Sequence, residues 1–544
     1  ADALGARARR SVPRGGAAAD SAARPAAPAA LGATRIDLAG IETRVVALPV
    51  PAGALDDLTA GDAGQLLYTR EADGKPSLHR FDLGKRKDDV LLAEAYDPAL
   101  TRDGKKLLYR VGPNWFLTGA AAPKPGEGRL ALDRVEVRIE PQAEWRQMFD
   151  EAWREQRDWF YDPGMHGLDW PAVRAKYAQF LPALATRADL TRVLRWTASE
   201  LGVGHSNTGG GDRLQAPRAV PGGLLGADYE VAEGRYRVRR VYGGLNWTPG
   251  LRAPLTEPGV NVRAGEYLLA VNGRELRAPD NLFAAFENTA DRLTDITVGP
   301  RADGIGARTV TVVPLASEAA LRNRAWVEGN VRLVDSLSGG RVAYVYVPNT
   351  AQEGFEYFKR YFYPQAHKDA ILVDERHNGG GQVADYYIDL LRRPYSAHWA
   401  LRYGADLRTP AAAIPGPKAV LIDETAGSGG DLFPWMFRKY GLGPLIGQRT
   451  WGGLVGILGY PVLMDGGMIT APNLAIYTPE TGYTVENEGV APDIAVEQTP
   501  AEVAAGRDPQ LLAGVAYLME QLRKAPPAQA VRPAAPDRAR ERGA

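Results

Sequence analysis

Short runs of alternating apolar and polar residues dominate the chain from Ile36 to Leu117. QLLYTR, SLHRFDL, DVLLAEA and KLLYRV are separated by the turn-forming stretches ADGK, GKRKD and TRDGKK. A period of two predicts consecutive antiparallel strands, about what one or two propeller blades need, so residues 36–125 read as the C-terminal remnant of a β-propeller. The period then changes. In AEWRQMFDEAWREQRDWFYDP the apolar positions Trp145, Met148, Phe149, Trp153 and Phe160 fall near helical spacing, and Pro163 and Gly164 end the run. WPAVRAKYAQFLPAL and ADLTRVLRWTASEL predict two further helices, closed by the loop GVGHSNTGGG, which makes 126–214 a helical subdomain. Residues 215–318 return to strands and glycine turns. From 319 to 500, apolar strands (RVAYVYVP, DAILVDER, KAVLIDET) alternate with amphipathic helices (EGFEYFKRYFYP, VADYYIDLLRR, DLFPWMFRKYG), the signature of a layered α/β core. A helix is predicted within 501–544, over AEVAAGRDPQLLAGVAYLMEQLRK, followed by a disordered tail. The fold class is therefore multidomain α/β and β.

Composition narrows the partners. With 65 basic and 65 acidic residues the formal charge is zero, so neither nucleic acid nor an anionic membrane is expected as a partner. The absence of cysteine excludes disulfides, thiolate metal sites and a cysteine nucleophile. No apolar run reaches the roughly eighteen residues of a membrane span. The Ala-, Arg- and Pro-rich stretch 1–35 has little to bury and is expected to be disordered, and it lacks the apolar segment of a signal peptide. Cytoplasmic location is the expectation, periplasmic the alternative if a natural leader is missing. No cofactor or metal is expected.

Two glycine-rich segments carry candidate chemistry. In VLIDETAGSGGDLFPWMF, Ser428 lies in a glycine-flanked turn after a buried strand and before a helix, whose N-terminal N–H groups face an anion readily. Such a serine suits a nucleophile, but taken alone it reads more readily as an ordinary helix cap. In DERHNGGGQ, Gly379, Gly380 and Gly381 follow a strand at the sheet edge where ligands gather, and their N–H groups suit a peptide backbone or an oxyanion. No GK[ST] follows, so a phosphate-binding loop is excluded. A serine nucleophile needs a base, and there are six histidines: His79, His166, His205, His367, His377 and His398. His205, in GVGHSNTGGG, sits in a glycine-rich loop where an imidazole is easily presented. No HExxH pair exists, which removes the zinc-peptidase reading.

The order GGLLGADYEV, VRAGEYLLAVNGREL, APDNLFAAFENT and ARTVTVVPL in 215–318 resembles a PDZ domain, a module that captures extended peptides at a sheet edge and receives a carboxylate on backbone N–H groups. The ordered set LGVGHSN, DERHNGGG, ETAGSGGD, GPLIGQRTWGG and VENEGVAPDI resembles the tricorn branch of the tail-specific protease superfamily over roughly residues 35–500. The resemblance implies a serine peptidase that cuts oligopeptides through an acyl-enzyme, and a homo-oligomer, hexamer-like in the family. It assigns Ser428 as nucleophile, His205 as general base and Glu486 as the relay carboxylate, with Glu488 as runner-up. It makes the Gly429 N–H the transition-state stabiliser and gives Gly379, Gly380 and Gly381 to substrate and the second oxyanion donor. Two departures stand out. Gly204 replaces the serine that commonly precedes the histidine, leaving Ser206, a water or Glu486 to orient the ring, and Gly429 stands where aspartate is common, a change expected to be mild. The sister branch uses a Ser–Lys dyad, but Gly453 occupies the lysine position and no lysine lies between Lys439 and Lys524. A catalytically weakened, PDZ-bearing peptide scaffold is the alternative function.

Overall fold

A computed structural model of the chain describes residues 37–72, 74–212, 219–526 and 531–538. The expected disorder of 1–35 lies outside these residues. The chain forms two compact units, one ending at Arg138 and the other beginning at Ile139.

In the first unit, strands Ala54–Ala60, Gln65–Ala72, Lys75–Asp82 and Lys87–Leu92 pair in sequence order as an antiparallel meander. A second, three-stranded meander follows over Tyr96–Leu100, Lys106–Val111 and Asn114–Gly119. The alternation read from the sequence turns Leu67, Leu78, Phe81, Leu107 and Tyr109 inward into one small core.

The second unit opens with the helical block. Pro141–Trp159 starts on a proline, whose missing N–H costs nothing in a first turn, and it buries Met148, Phe149 and Ala152. The helix expected over WPAVRAKYAQFLPAL stops at Ala178 and gives way to a single 3₁₀ turn at Leu181–Ala183, because Pro182 offers no N–H to continue it. Arg187–Ser199 begins with a capping box between Thr186 and Asp189. Leu463 and Ile469, from far along the chain, complete the core of this block, and Arg187 is ion-paired with Asp465 at 2.5 Å.

Next comes an antiparallel sheet ordered 308–312, 294–299, 267–271, 235–241, 227–232, with the last as its terminal strand. The stretch APDNLFAAFENT forms a short 3₁₀ segment, Leu282–Phe286, capped by the Asn281 side chain.

The α/β core is a parallel sheet ordered Val342–Tyr346, Ala370–Asp374, Lys418–Ile422, Leu445–Gly447, Ile494–Ala495. Its central strands are apolar except for Asp374 and Lys418 at their ends, because both faces are covered. Phe358, Phe362, Phe433 and Phe437 pack on one face, while Val327, Val334, Leu511 and Leu518 pack on the other. The last two strands are too short to show a period. The helix expected over 501–524 is two, Pro500–Ala504 and Pro509–Lys524, broken by Gly506 at φ +72° and restarted by Asp508 and Pro509. The tail expected to be disordered is held at Arg532, which donates to the Leu401 carbonyl (2.9 Å) and pairs with Asp406. The rest of that expectation falls on 527–530 and 539–544, outside the described residues. Among the described residues, no helix is long and apolar enough to cross a membrane, and no group of three or more His, Asp or Glu is placed to hold a metal ion.

Candidate active site

Ser428 sits between the central strand Lys418–Ile422 and the helix Gly429–Lys439, at φ +58° and ψ −115°. A non-glycine residue with that backbone is strained, and something must hold it. Asp431, fully buried, accepts from the Ser428 N–H (2.9 Å), the Gly452 N–H (2.8 Å), the Gly453 N–H (3.0 Å) and the Thr450 hydroxyl. Burial raises its pKa against the pull of these four donors.

A second carboxylate ties this turn to the glycine loop. Asp423 accepts from the backbone N–H of His377 (3.0 Å), Thr425 (3.2 Å) and Ala426 (3.0 Å). It also pairs with His377 Nδ1 at 2.8 Å. Despite burial, these partners hold its pKa down at about 2.

Gly380, Gly381 and Gly429 are there because segments meet, whereas a Cβ on Gly379 would stand in open space. A Cβ on Gly380 would lie 2.8 Å from Ser428 Cβ, and one on Gly429 would lie 1.9 Å from Thr350 Oγ1 and 2.3 Å from the Gly381 carbonyl. Glycine at 429 is thus a steric requirement in this chain, not the mild exchange for aspartate that the sequence suggests. The loop's donors are also fewer than expected. The N–H of Gly379 donates to Pro348 O (3.1 Å) and that of Gly380 to Asn378 Oδ1 (2.9 Å). Gly381 is the member of the three that stands against Gly429.

The loop bearing His205 is clamped from the far end of the chain. Glu486 accepts from the Gly204 N–H at 2.6 Å, and its other oxygen accepts from Leu454 N–H (2.6 Å) and Val455 N–H (2.8 Å). Asn487 Nδ2 donates to the Gly202 carbonyl at 2.7 Å, and the Thr470 hydroxyl donates to the His205 carbonyl. Glu488 is exposed, and it is Glu486 that reaches this loop. Burial lowers the His205 pKa, opposed by the negative charges of Glu486 and Asp431. Its Nδ1 and the Ser206 hydroxyl are buried and have no hydrogen-bond partner among the described residues, so Ser206 does not orient the ring here.

Trp451 joins the two halves. Its ring centroid lies 5.4 Å from that of His205. Cβ atoms on Gly204, Gly427 and Gly453 would meet the same indole at 3.1, 2.5 and 2.2 Å. A serine at 204 would crowd the indole, and a lysine at 453 would need it to move. The remaining five histidines have other surroundings: His377 is mostly exposed on Asp423, His166 contacts Tyr161 and the Leu201 carbonyl, His367 is exposed in the turn after the helix Gln352–Gln365, His398 contacts Tyr395, and His79 is in the first unit, paired with Asp88. Sequence reasoning missed Asp423, Asp431, Thr350, Thr470 and Trp451. Only the aspartates had a visible signal, as acids within otherwise apolar or glycine-rich runs.

Three family models match in chain order: the tricorn protease C1 domain over 141–196, the tricorn protease PDZ domain over 223–317 and peptidase family S41 over 341–496. The chain belongs to the tricorn protease family. The third of these models is that of a peptidase family. Tricorn protease homolog 1 of Streptomyces coelicolor is 34% identical over 520 residues, 91% of this chain and 48% of the relative. The tricorn protease of Thermoplasma acidophilum is 29% identical over 84% of this chain and 42% of its own length. A crystal structure of the tricorn protease superposes with a TM-score of 0.78 at 27% identity, covering 87% of this chain and 47% of that one. The chain thus spans about half the length of the curated tricorn relatives it matches.

Proposed function

We propose that the chain hydrolyses peptide bonds in oligopeptides through a Ser–His–Glu relay and an acyl-enzyme. His205 takes the Ser428 proton as the hydroxyl attacks the carbonyl. The Gly429 N–H, with Gly381 beside it, stabilises the oxyanion, and His205 then protonates the leaving amine. Water resolves the ester by the same steps in reverse. Glu486 acts through its field, which favours the imidazolium, and through the Gly204 N–H, which fixes the backbone under the ring. The observation that carries this reading is the Glu486–Gly204 bond, which anchors His205 on the protease core where Trp451 also covers the serine turn.

The first unit is read, in the same proposal, as propeller-blade structure, and the protein as a cytoplasmic homo-oligomer. One observation favours the second reading, a peptide-binding scaffold with weakened catalysis: His205 Nδ1 has no acceptor among the described residues. A fluorophosphonate probe separates the two. Labelling of wild type but not of Ser428→Ala, with peptide cleavage lost in that variant and its melting unchanged, supports the peptidase. An unlabelled wild type, or undiminished cleavage by Ser428→Ala, refutes it.

A further inference from the structure

The PDZ domain carries a cavity of about 300 Å³ beside its terminal strand, Ala227–Ala232. Leu225, Ala227, Leu282, Phe283 and Phe286 give it an apolar wall, and Phe283 is 60% exposed at its mouth. A strand edge left unpaired among the described residues, next to an apolar cavity, suits an extended peptide, which adds as a strand and seats a side chain.

The expected carboxylate subsite is another matter. Three of the five donors in the loop 222–226 are already committed inside the protein. The Gly223 N–H donates to Phe286 O (2.9 Å) and the Leu224 N–H to Leu315 O (2.8 Å). The Gly226 N–H donates at 2.9 Å to a carboxylate, that of Glu318. Glu318 stands just before the helix Ala319–Ser338, and its side chain is only 12% exposed. Arg322, one turn on, locks it there: its guanidinium donates to Glu318 Oε1 (2.8 and 2.5 Å) and to the Tyr242 hydroxyl (2.8 Å) and pairs with Asp228 (2.8 Å). Among the charged residues lining the cavity, two carboxylates therefore share one cation. An incoming C-terminal carboxylate would have to expel Glu318 and would meet Asp228.

We propose that this groove binds extended peptide segments by strand addition and one apolar side chain, and that it does not recognise a free carboxyl terminus, whose place Glu318 occupies. Segments that are neutral or basic beyond the apolar residue fit the charge of the lining. The inference is independent of the assignment of Ser428.

The test uses the whole chain carrying Ser428→Ala and fluorescein-labelled Ser-Gly-Thr-Val-Phe, made as the free acid and as the amide. Anisotropy measures binding, and mass spectrometry checks that the probe stays intact. The two forms are expected to bind within about threefold of each other, and Phe283→Glu at the exposed mouth is expected to weaken both by about tenfold or more. Glu318→Ala, which releases the Gly226 N–H, is expected to make the free acid about tenfold tighter than the amide. A free acid already about tenfold tighter in the unmodified groove overturns the proposal, as does binding indifferent to Phe283→Glu, or no binding of either form.

Discussion

Replacing Asp431 with alanine removes the acceptor of four donors at once: the N–H groups of Ser428, Gly452 and Gly453 and the hydroxyl of Thr450. Each hydrogen bond to a charged group contributes about 1.5–3 kcal/mol, so a simple sum gives about 6–12 kcal/mol. That sum is too large. Burial raises the pKa of this carboxyl despite its four donors, so part of their energy offsets the desolvation of a carboxylate that alanine does not carry. The net loss is about 3–5 kcal/mol, the cost of leaving a buried polar cluster without its charge. Asparagine keeps one accepting oxygen and turns its amide toward two of the donors, so Asp431→Asn should lose about half as much. Ser428 loses the bond that holds its positive φ, and relaxation of that strain, about 1–3 kcal/mol, moves the hydroxyl away from Gly380 and Gly381. Thermal melting and the rate of fluorophosphonate labelling, measured on the same samples, read both effects. The expected outcome is a drop of several degrees in Tm, larger for alanine, with labelling slowed about tenfold or more. Wild-type melting and labelling in both variants would refute the reasoning.

Three further predictions concern burial and charge. Burial raises the Glu155 carboxyl to about 7 from its ordinary 4.5. The unfolded chain therefore ionises first, and stability present below pH 4.5 is lost as pH rises through 7. Glu155→Gln should raise Tm above pH 7, by on the order of 2 kcal/mol in stability after screening is allowed for, and should do nothing below pH 4.5. Gly429→Ala should destabilise the core by about 1–3 kcal/mol and slow labelling, with Thr350→Ala restoring only part, because the Gly381 carbonyl still blocks the methyl. Since burial lowers the His205 pKa, the neutral, active ring persists below pH 6.5, and the acid limb of peptide cleavage should lie there. Glu486→Gln removes an opposing charge and should push that limb further to acid while lowering the plateau; an acid limb at or above pH 6.5 in the wild type contradicts the burial argument.

The residues that build this site were legible to different degrees. Continuous apolar runs and helical spacing gave the strands 342–346, 370–374 and 418–422 and the helices between them, because periodicity is local and survives without a partner. The Ser428 turn and the Gly379–Gly381 loop were visible for the same reason. Their donors were not, since Pro348 and Asn378 claim two of the three N–H groups only once the loop folds back on its own strand ends.

Other choices were made in three dimensions. Glu486 and Glu488 are indistinguishable in VENEG, and Glu486 reaches His205's loop while Glu488 is exposed because Val485 and Asn487 take positive φ and turn the segment around the Gly204 N–H. Gly427 read as a turn former, Gly204 as a replaced serine and Gly453 as a replaced lysine, yet all three lie under one indole, that of Trp451. A sequence fixes which residues can be buried or bent, but the partner a buried polar group finds depends on segments hundreds of positions away. Only their packing decides that Asp431 holds the serine turn and Glu486 holds the histidine loop.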